Sequence, residues 1–392
     1  MKTLALKTGK VARITRVEIN AYLCKKLSEF LPKISSTEIS GSCPPEVFVG
    51  RYNYPNIFLG PIISPLENSE QLISDGWFGK PLAEIFSLRL QGIRGKMQGS
   101  IKNAYDKNVL KIQEAILSKK SVEAEAKLKR PPSGLHLSLE SQPYGPSAFI
   151  LDYKLSPGRS EPTLEKVYYD TDMKAGEAVV KLFDSNVQTS KITQALSLGM
   201  LGVQRRLVPT RWSITAVDDI IGKHFIQKIR DFNAINEWRV YNIEYLNNKW
   251  VIILFPSAWQ YESIEAWFPG TIVQNLGIGG DYEGFEIKKE YASIGGCWYA
   301  ARAVVAEKLY KERRQAGVLI LREVHEGYIP VGVWNVRESV KAAIYGKCEC
   351  FNNMREALAY AMGKLTIPFS TWLQHSQILK NLRFQRSLFH FM

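Results

Sequence analysis

The sequence predicts an α+β protein, mixed in helices and strands, with a larger amino-terminal domain over residues 1–278, a smaller α/β carboxyl-terminal domain over 279–383 and a short tail over 384–392. Three observations carry this expectation. A chain of 392 residues exceeds one ordinary core at roughly 150 residues per domain. Strand-like runs broken by glycine and proline alternate with runs whose apolar residues recur at helical spacing. Gly277-Ile278-Gly279-Gly280 offers a hinge, because a backbone without Cβ atoms turns freely. No period of about 20 to 50 residues recurs, which excludes solenoids and propellers.

Taken in order, Val47 to Pro61 reads as two short strands around a turn, with glycine and proline as punctuation. Asn108 to Arg130 carries Leu110, Ile112, Ile116 and Leu117 among Lys and Glu and stops at Pro131-Pro132, which predicts one solvent-facing helix. Helices are expected over Met173–Asp184 and Ser190–Met200. The next follows Thr215, where Val217, Ile220, Ile221, Phe225 and Ile229 share one face and Thr215 with Asp218 resembles a capping box. Arg239–Tyr245 and Lys249–Phe255 read as a hairpin turning at Asn247-Asn248. Beyond the glycine run come a helix near Tyr299–Arg313, strands near Val318–Arg322 and Ile329–Trp334, and helices near Val336–Tyr345, Met354–Gly363 and Ser370–Leu382.

Hydrophobic residues at 45% and charged residues at 23% describe a folded chain and exclude intrinsic disorder. The formal charge of +13 favours a polyanionic partner, since each phosphate neutralised releases condensed counterions. A basic proteome or simple solubility is the bland alternative. Lys2 and Lys7 interrupt the first residues before a signal peptide could form, and Val251 to Phe255 stops at Pro256, far short of the ~20 residues that span a bilayer. A cytoplasmic protein without membrane contact is expected. The five cysteines (Cys24, Cys43, Cys297, Cys348 and Cys350) are odd in number and scattered, which argues against a disulfide framework. Only one residue separates Cys348 from Cys350, whereas zinc pairs use about two to four.

Arg205-Arg206-Leu207-Val208-Pro209-Thr210-Arg211-Trp212-Ser213 places three guanidinium groups and an indole next to a helix start. Such forks suit phosphate oxygens and an indole face can stack on a base. Arginines paired to carboxylates around a core Trp212 are the alternative. Arg51-Tyr52-Asn53-Tyr54 is a second basic and aromatic turn, and Lys311-Glu312-Arg313-Arg314 a third basic cluster. The candidate DNA-binding set is therefore Arg51, Tyr54, Arg205, Arg206, Arg211, Trp212, Arg313 and Arg314.

Paired acids stand at Asp170 and Asp172, at Asp218-Asp219, and at Glu262 with Glu265. Converging carboxylates could hold two metal ions, so Asp172, Asp218, Asp219 and Glu265 are the candidates for a nuclease using Mg or Mn. Helix capping is the competing role for Asp170 and Asp218. No Walker loop, dinucleotide fingerprint, HExxH pair or nucleophile elbow is present, and His136 and His325 read as structural. No small-molecule substrate is inferred.

Several long strings carry a family likeness: Pro44-Pro45-Glu46-Val47-Phe48-Val49-Gly50-Arg51-Tyr52, Leu207 to Asp219, Glu265-Ala266-Trp267-Phe268-Pro269-Gly270-Thr271, Arg313-Arg314-Gln315-Ala316, and Gly327 to Trp334 with Arg337-Glu338. From about Tyr22 to the carboxyl end the chain resembles the archaeal Nre family of DNA-repair proteins. The resemblance implies a larger amino-terminal and a smaller carboxyl-terminal region, a role in the response to DNA damage and, in many members, a terminal peptide that binds the sliding clamp PCNA. It brings no catalytic residue. Members often carry an amino-terminal cysteine cluster that looks like a zinc site. Here Cys24 matches and the later cysteine is missing, so no metal is expected.

The tail Gln385-Arg386-Ser387-Leu388-Phe389-His390-Phe391-Met392 fits the clamp-binding pattern of glutamine, a spaced aliphatic residue and a terminal pair of large apolar side chains. Leu388, Phe391 and Met392 fall at i, i+3 and i+4, on one face of a helical turn, with Gln385 beside them. The expectation is a DNA-repair factor with DNA and PCNA as partners and no cofactor. A metal-dependent nuclease is the first rival and a protein-only adaptor the second.

Overall fold

The computed structural model describes residues 27–67, 69–139 and 141–384. Cys24 and the tail residues Gln385, Leu388, Phe391 and Met392 lie outside the described residues. Both helix and strand are abundant, at 36% and 26%, as the mixed fold class requires. Packing divides the chain into two compact units, the first reaching Ile221 and including Pro330–Asn335, the second comprising Gly222–Ile329 and the chain from Val336 onward.

The first unit is built on β1 (Glu38–Cys43), β2 (Val47–Val49), β3 (Asn56–Ile63), α1 (Leu82–Arg89), β4 (Ile93–Ser100), α2 (Lys107–Leu117), β5 (Val122–Leu128) and β6 (Ser147–Leu155). The strands form a six-stranded sheet in the order β1-β5-β6-β4-β3-β2, antiparallel throughout except where β4 meets β6. Helices α3 (Pro162–Tyr169), α4 (Ala175–Asp184), α5 (Thr189–Ser197) and α6 (Thr210–Ile229) follow, and the division between units falls inside α6.

Two expectations change here. The helix expected over Asn108–Arg130 ends at Leu117, and its second half is β5. Val122, Ala124, Ala126 and Leu128 are buried while Glu123, Glu125 and Lys127 are exposed, the period of two that a half-covered strand shows. Helix α6 starts at Thr210, five residues before Thr215, so Thr215 and Asp218 lie inside the helix and do not cap it. A buried bidentate pair ties the unit together: Arg89 donates to both carboxylate oxygens of Glu46, at 2.6 and 2.8 Å, and to the carbonyls of Leu72 and Pro143. With four guanidinium hydrogen bonds made, two of them to the carboxylate, much of the desolvation of the two charges is offset.

The second unit comprises β7 (Trp238–Tyr245), β8 (Asn248–Phe255), β9 (Gln260–Trp267), β10 (Gly277–Glu283), α7 (Gly296–Glu312), β11 (Gly317–Val324), α8 (Trp334–Ile344), β12 (Glu349–Phe351), α9 (Met354–Met362), α10 (Phe369–His375) and α11 (Gln377–Phe384). Residues Trp334 and Asn335 of α8 count with the first unit. The strands form a second six-stranded sheet, β10-β9-β11-β8-β7-β12, in which only β9 and β11 run parallel. The expected hairpin is present but turns one residue earlier than Asn247-Asn248: Leu246 and Asn247 both take positive φ, as a two-residue turn demands, and Asn248 already pairs with Tyr245. Each position of β11 is buried, and Val318, Leu319, Ile320 and Leu321 each contribute about 1.5–3 kcal/mol through burial. Val251, Ile253, Ile264, Leu319 and Leu321 pack against Ala357, Ala361, Trp372 and Ile378 from α9, α10 and α11.

The glycine run read as a hinge is strand β10. It pairs with β9 from Gly277 opposite Trp267 to Glu283 opposite Tyr261. Gly280 is there for proximity, since a Cβ at that position would lie 2.7 Å from the Ser263 carbonyl oxygen. Ile329–Trp334, expected as a strand, is irregular as far as Val333 and enters α8 at Trp334. The single helix expected over Ser370–Leu382 is two, α10 and α11, broken at Ser376.

Candidate nucleic-acid interface

In the first unit the amino end of α6 is anchored to β2. Thr210 Oγ1 accepts the Val49 N–H at 2.9 Å, and Gln194 Oε1 of α5 accepts the Val47 N–H at 3.1 Å. These bonds satisfy edge-strand donors and bring the turn that follows β2 beside the first turn of α6. That turn is tight, with Asn53 at φ 66°, a conformation asparagine tolerates better than most residues. Tyr54 and Trp212 meet across the gap with ring centroids 5.3 Å apart and planes tilted by 57°. Both remain open to solvent, Tyr54 at 50% and Trp212 at 44%, and Tyr52 beside them is 53% exposed. The Arg51 guanidinium lies 5.3 Å from the centre of the Tyr52 ring.

The arginines expected to act together divide. Arg206 is exposed and Arg211 half-buried beside Trp212. Arg205 has turned inward: its guanidinium donates to the carbonyls of Tyr168, Asp170 and Gly202 and lies over the Tyr168 ring at 5.0 Å. Arg205 closes a loop, with Nε and Nη2 both engaged by backbone carbonyls. Arg313 and Arg314 are exposed at the carboxyl end of α7 in the second unit, with Arg313 in the left-handed conformation that ends the helix. Arg51, Tyr52, Tyr54, Arg211 and Trp212 therefore form a surface on which aromatic faces and cations stand together, with Arg206 exposed in the segment that leads into α6. Tyr52 falls outside the set expected from sequence, although its alternation with Arg51 and Tyr54 is visible there.

The carboxylates take structural positions. Asp170 Oδ1 accepts the N–H groups of Asp172 and Met173 in the turn before α4, and Asp172 is exposed. Asp218 is buried within α6, with Asp219 following it. Glu265 accepts from Arg322 at 2.7 Å and from the Trp267 indole at 3.2 Å, with Arg322 also donating to Asn248 Oδ1 at 2.9 Å. Glu283 accepts from Arg302 at 2.7 Å and from the Trp259 indole at 3.0 Å. Burial raises the Glu262 carboxyl above its usual range, against the opposing pull of the Ser376 hydroxyl and two backbone N–H groups. Among the described residues no group of three His, Cys, Asp or Glu side chains could hold a metal ion. Cys348 and Cys350 stand with sulfurs 3.7 Å apart, and burial pushes the Cys350 thiol up to about 12. No described helix is long and apolar enough to cross a membrane.

Comparison with known proteins covers nearly the whole chain. Residues 20–274 match the family described as "Archaeal Nre, N-terminal" and residues 283–391 the family described as "Archaeal Nre, C-terminal". The DNA repair protein NreB of Archaeoglobus fulgidus is 36% identical over 380 residues, which covers 94% of this chain and 96% of that protein. The DNA repair protein NreA of the same organism is 34% identical over 85% of this chain and 87% of its own length. The DNA repair protein NreA of Haloferax volcanii is 32% identical over 81% of each. No solved structure matches.

Proposed function

This chain belongs to the archaeal Nre family, and from that premise we propose that it is a DNA-repair factor that binds DNA through the surface around Arg51, Tyr54 and Trp212 and engages PCNA through residues Gln385 to Met392. The exposed Tyr54–Trp212 pair, with Arg51 and Arg211 beside it in the chain, is the observation that carries the DNA reading. Large rings left in water side by side mark a binding surface, because burying them against a partner recovers apolar area. A base offers a flat apolar face of matching shape, and the guanidinium groups beside it suit the phosphates on either side. The net charge of +13 adds a long-range attraction that raises the encounter rate.

The clamp reading rests on the tail's pattern. The carboxyl-terminal family match extends to residue 391 and so takes in most of this tail. Leu388, Phe391 and Met392 on one face of a turn would fill an apolar pocket, while Arg383 and Arg386 suit an acidic rim. A titration of labelled DNA at increasing salt tests the DNA reading. Steeply salt-dependent binding is expected, and wild-type protein that shows none down to low salt refutes it.

A further inference from the structure

The first sheet has a second surface on which cations and aromatic rings gather. Residues alternate in direction along a strand, so Arg94, Lys96 and Gln98 of β4 share one face. The registers extend that face sideways: Lys96 lies opposite Phe149 of β6, and Gln98 opposite Phe58 of β3. Phe58 and Phe149 meet edge to face with centroids 5.5 Å apart. Phe149 is 39% exposed and Leu151 62%, a phase of β6 that a strand with a simply solvated face would fill with polar residues. An open groove of about 310 Å³ runs here, lined by Lys96, Gln98, Phe149 and Leu151 among others.

The charges on this face are unbalanced on one side. Arg94 and Arg130 both press electrostatically on Lys96, which is half-buried, and burial together with these two cations lowers its pKa. Arg94 is itself mostly buried, its guanidinium 4.5 Å from the centre of the Phe48 ring, and its Nε is buried with no hydrogen-bond partner. Among the described residues none of these three cations has a carboxylate partner. One carboxylate, Asp152 of β6, also lines the groove, three residues beyond Phe149 and opposite Lys127, and Glu38 of the edge strand β1 pairs with Lys127 at 3.6 Å. Three like charges and an orphaned buried donor are costly unless an anion completes them.

We propose that Arg94, Lys96 and Arg130 bind a backbone phosphate of single-stranded DNA whose neighbouring bases stack on Phe149 and Phe58. The inference rests on the reading that the chain binds DNA, and it adds a second contact and a strand preference. Duplex DNA offers its phosphates and keeps its base faces stacked inside, so exposed rings between strands favour an unpaired chain. Tyr54 lies two residues before β3 at the end where Asn56 pairs with Ser100, whereas Arg94 pairs with Ile62 six residues further along β3. The new contact is thus distinct from the Tyr54–Trp212 surface.

The test is fluorescence anisotropy with an oligothymidylate of about 20 nucleotides, a length sufficient for several stacked bases. K96E with R130E, and separately F149A, should each weaken binding about tenfold while leaving the melting temperature near wild type. If wild type binds and W212A weakens it, but K96E/R130E and F149A do not, this inference is wrong and the surface around Trp212 stands. Wild type that binds no DNA defeats both. An equal loss on duplex DNA overturns the strand preference, and tighter binding of an oligouridylate with the same dependence on Lys96 and Phe149 overturns the choice of DNA. Crosslinking of unmodified protein to an oligonucleotide carrying bromodeoxyuridine gives a readout free of folding effects. Adducts on the peptide containing Phe149 are expected, and adducts confined to the Tyr54 and Trp212 peptides overturn the proposal.

Discussion

Glu262 on β9 caps α11: its carboxylate accepts the Gln377 N–H at 2.7 Å and the Ile378 N–H at 2.9 Å, and the Ser376 hydroxyl donates to it as well. A helix begins with unsatisfied N–H groups and a positive dipole end, and a buried carboxylate answers both. The bend between α10 and α11 is therefore fixed from the sheet. Glu262→Ala leaves these donors buried without partners, and urea melts should show a loss of about 2–4 kcal/mol. Unchanged stability would mean that the cap is dispensable.

The same residue gives a pH signature. Its folded-state pKa is raised above the ordinary 4.5, so the folded protein holds this proton more tightly than the unfolded chain. The stabilisation from that proton is fully present below about 4.5 and is lost as pH rises through the folded value. Comparing Glu262→Gln with wild type in melts at acid and neutral pH should show the wild type losing ground to the variant as pH rises. The opposite slope would assign a depressed pKa.

Arg322 and Glu265 form a buried pair walled by aromatic rings, with the guanidinium 4.6 Å from the centre of the Trp250 ring. Removing one partner strands a charge, so Glu265→Ala should cost about 3–5 kcal/mol. Replacing both by apolar residues, as in E265M with R322M, should be milder than the single change. A double variant worse than the sum of its parts would show that the charges do more than hold the core.

On the surface proposed to bind DNA, Tyr54→Ala and Trp212→Ala should each weaken binding by about 1–3 kcal/mol with little change in salt dependence. Arg51→Ala, Arg206→Ala and Arg211→Ala should each flatten the log–log salt slope, by about 0.9 for each duplex phosphate that is no longer neutralised. Arg205→Ala should instead lower the melting temperature, because its donors hold the carbonyls of Tyr168 and Asp170. A salt slope that responds to Arg205 alone would reverse these assignments.

For the clamp, calorimetry of the full chain with PCNA should show binding that vanishes on deleting Gln385 to Met392 or on combining L388A with F391A. Met392 stands where an aromatic residue is usual, and its flexible side chain fills a pocket without ring packing, so moderate affinity is expected. Full binding by either variant would place the interaction elsewhere.

Strong local signals determined a good part of this protein from sequence alone. The hairpin at Asn247, helices α4, α5 and α9, and strands β3 and β11 follow from turn chemistry and from the spacing of apolar residues. The family followed from long strings such as Leu207 to Asp219. Failures fell where local preference is weak or contradicted by distant pairing. Val122-Glu123-Ala124-Glu125-Ala126-Lys127-Leu128 is rich in helix formers, yet β1 and β6 offer its backbone two ladders and a face to bury. Gly277 to Gly280 carries no side-chain signal for a strand, and only the approach of β9 made one of it. The roles of charged residues were the least legible. A glutamate reads the same in sequence as a metal ligand, a cap or half of a buried pair, and what decides is the group placed opposite it. For Glu262 that group comes from Ser376 to Ile378, and for Glu265 it is Arg322, neighbours that exist only once the sheet has assembled and excluded water.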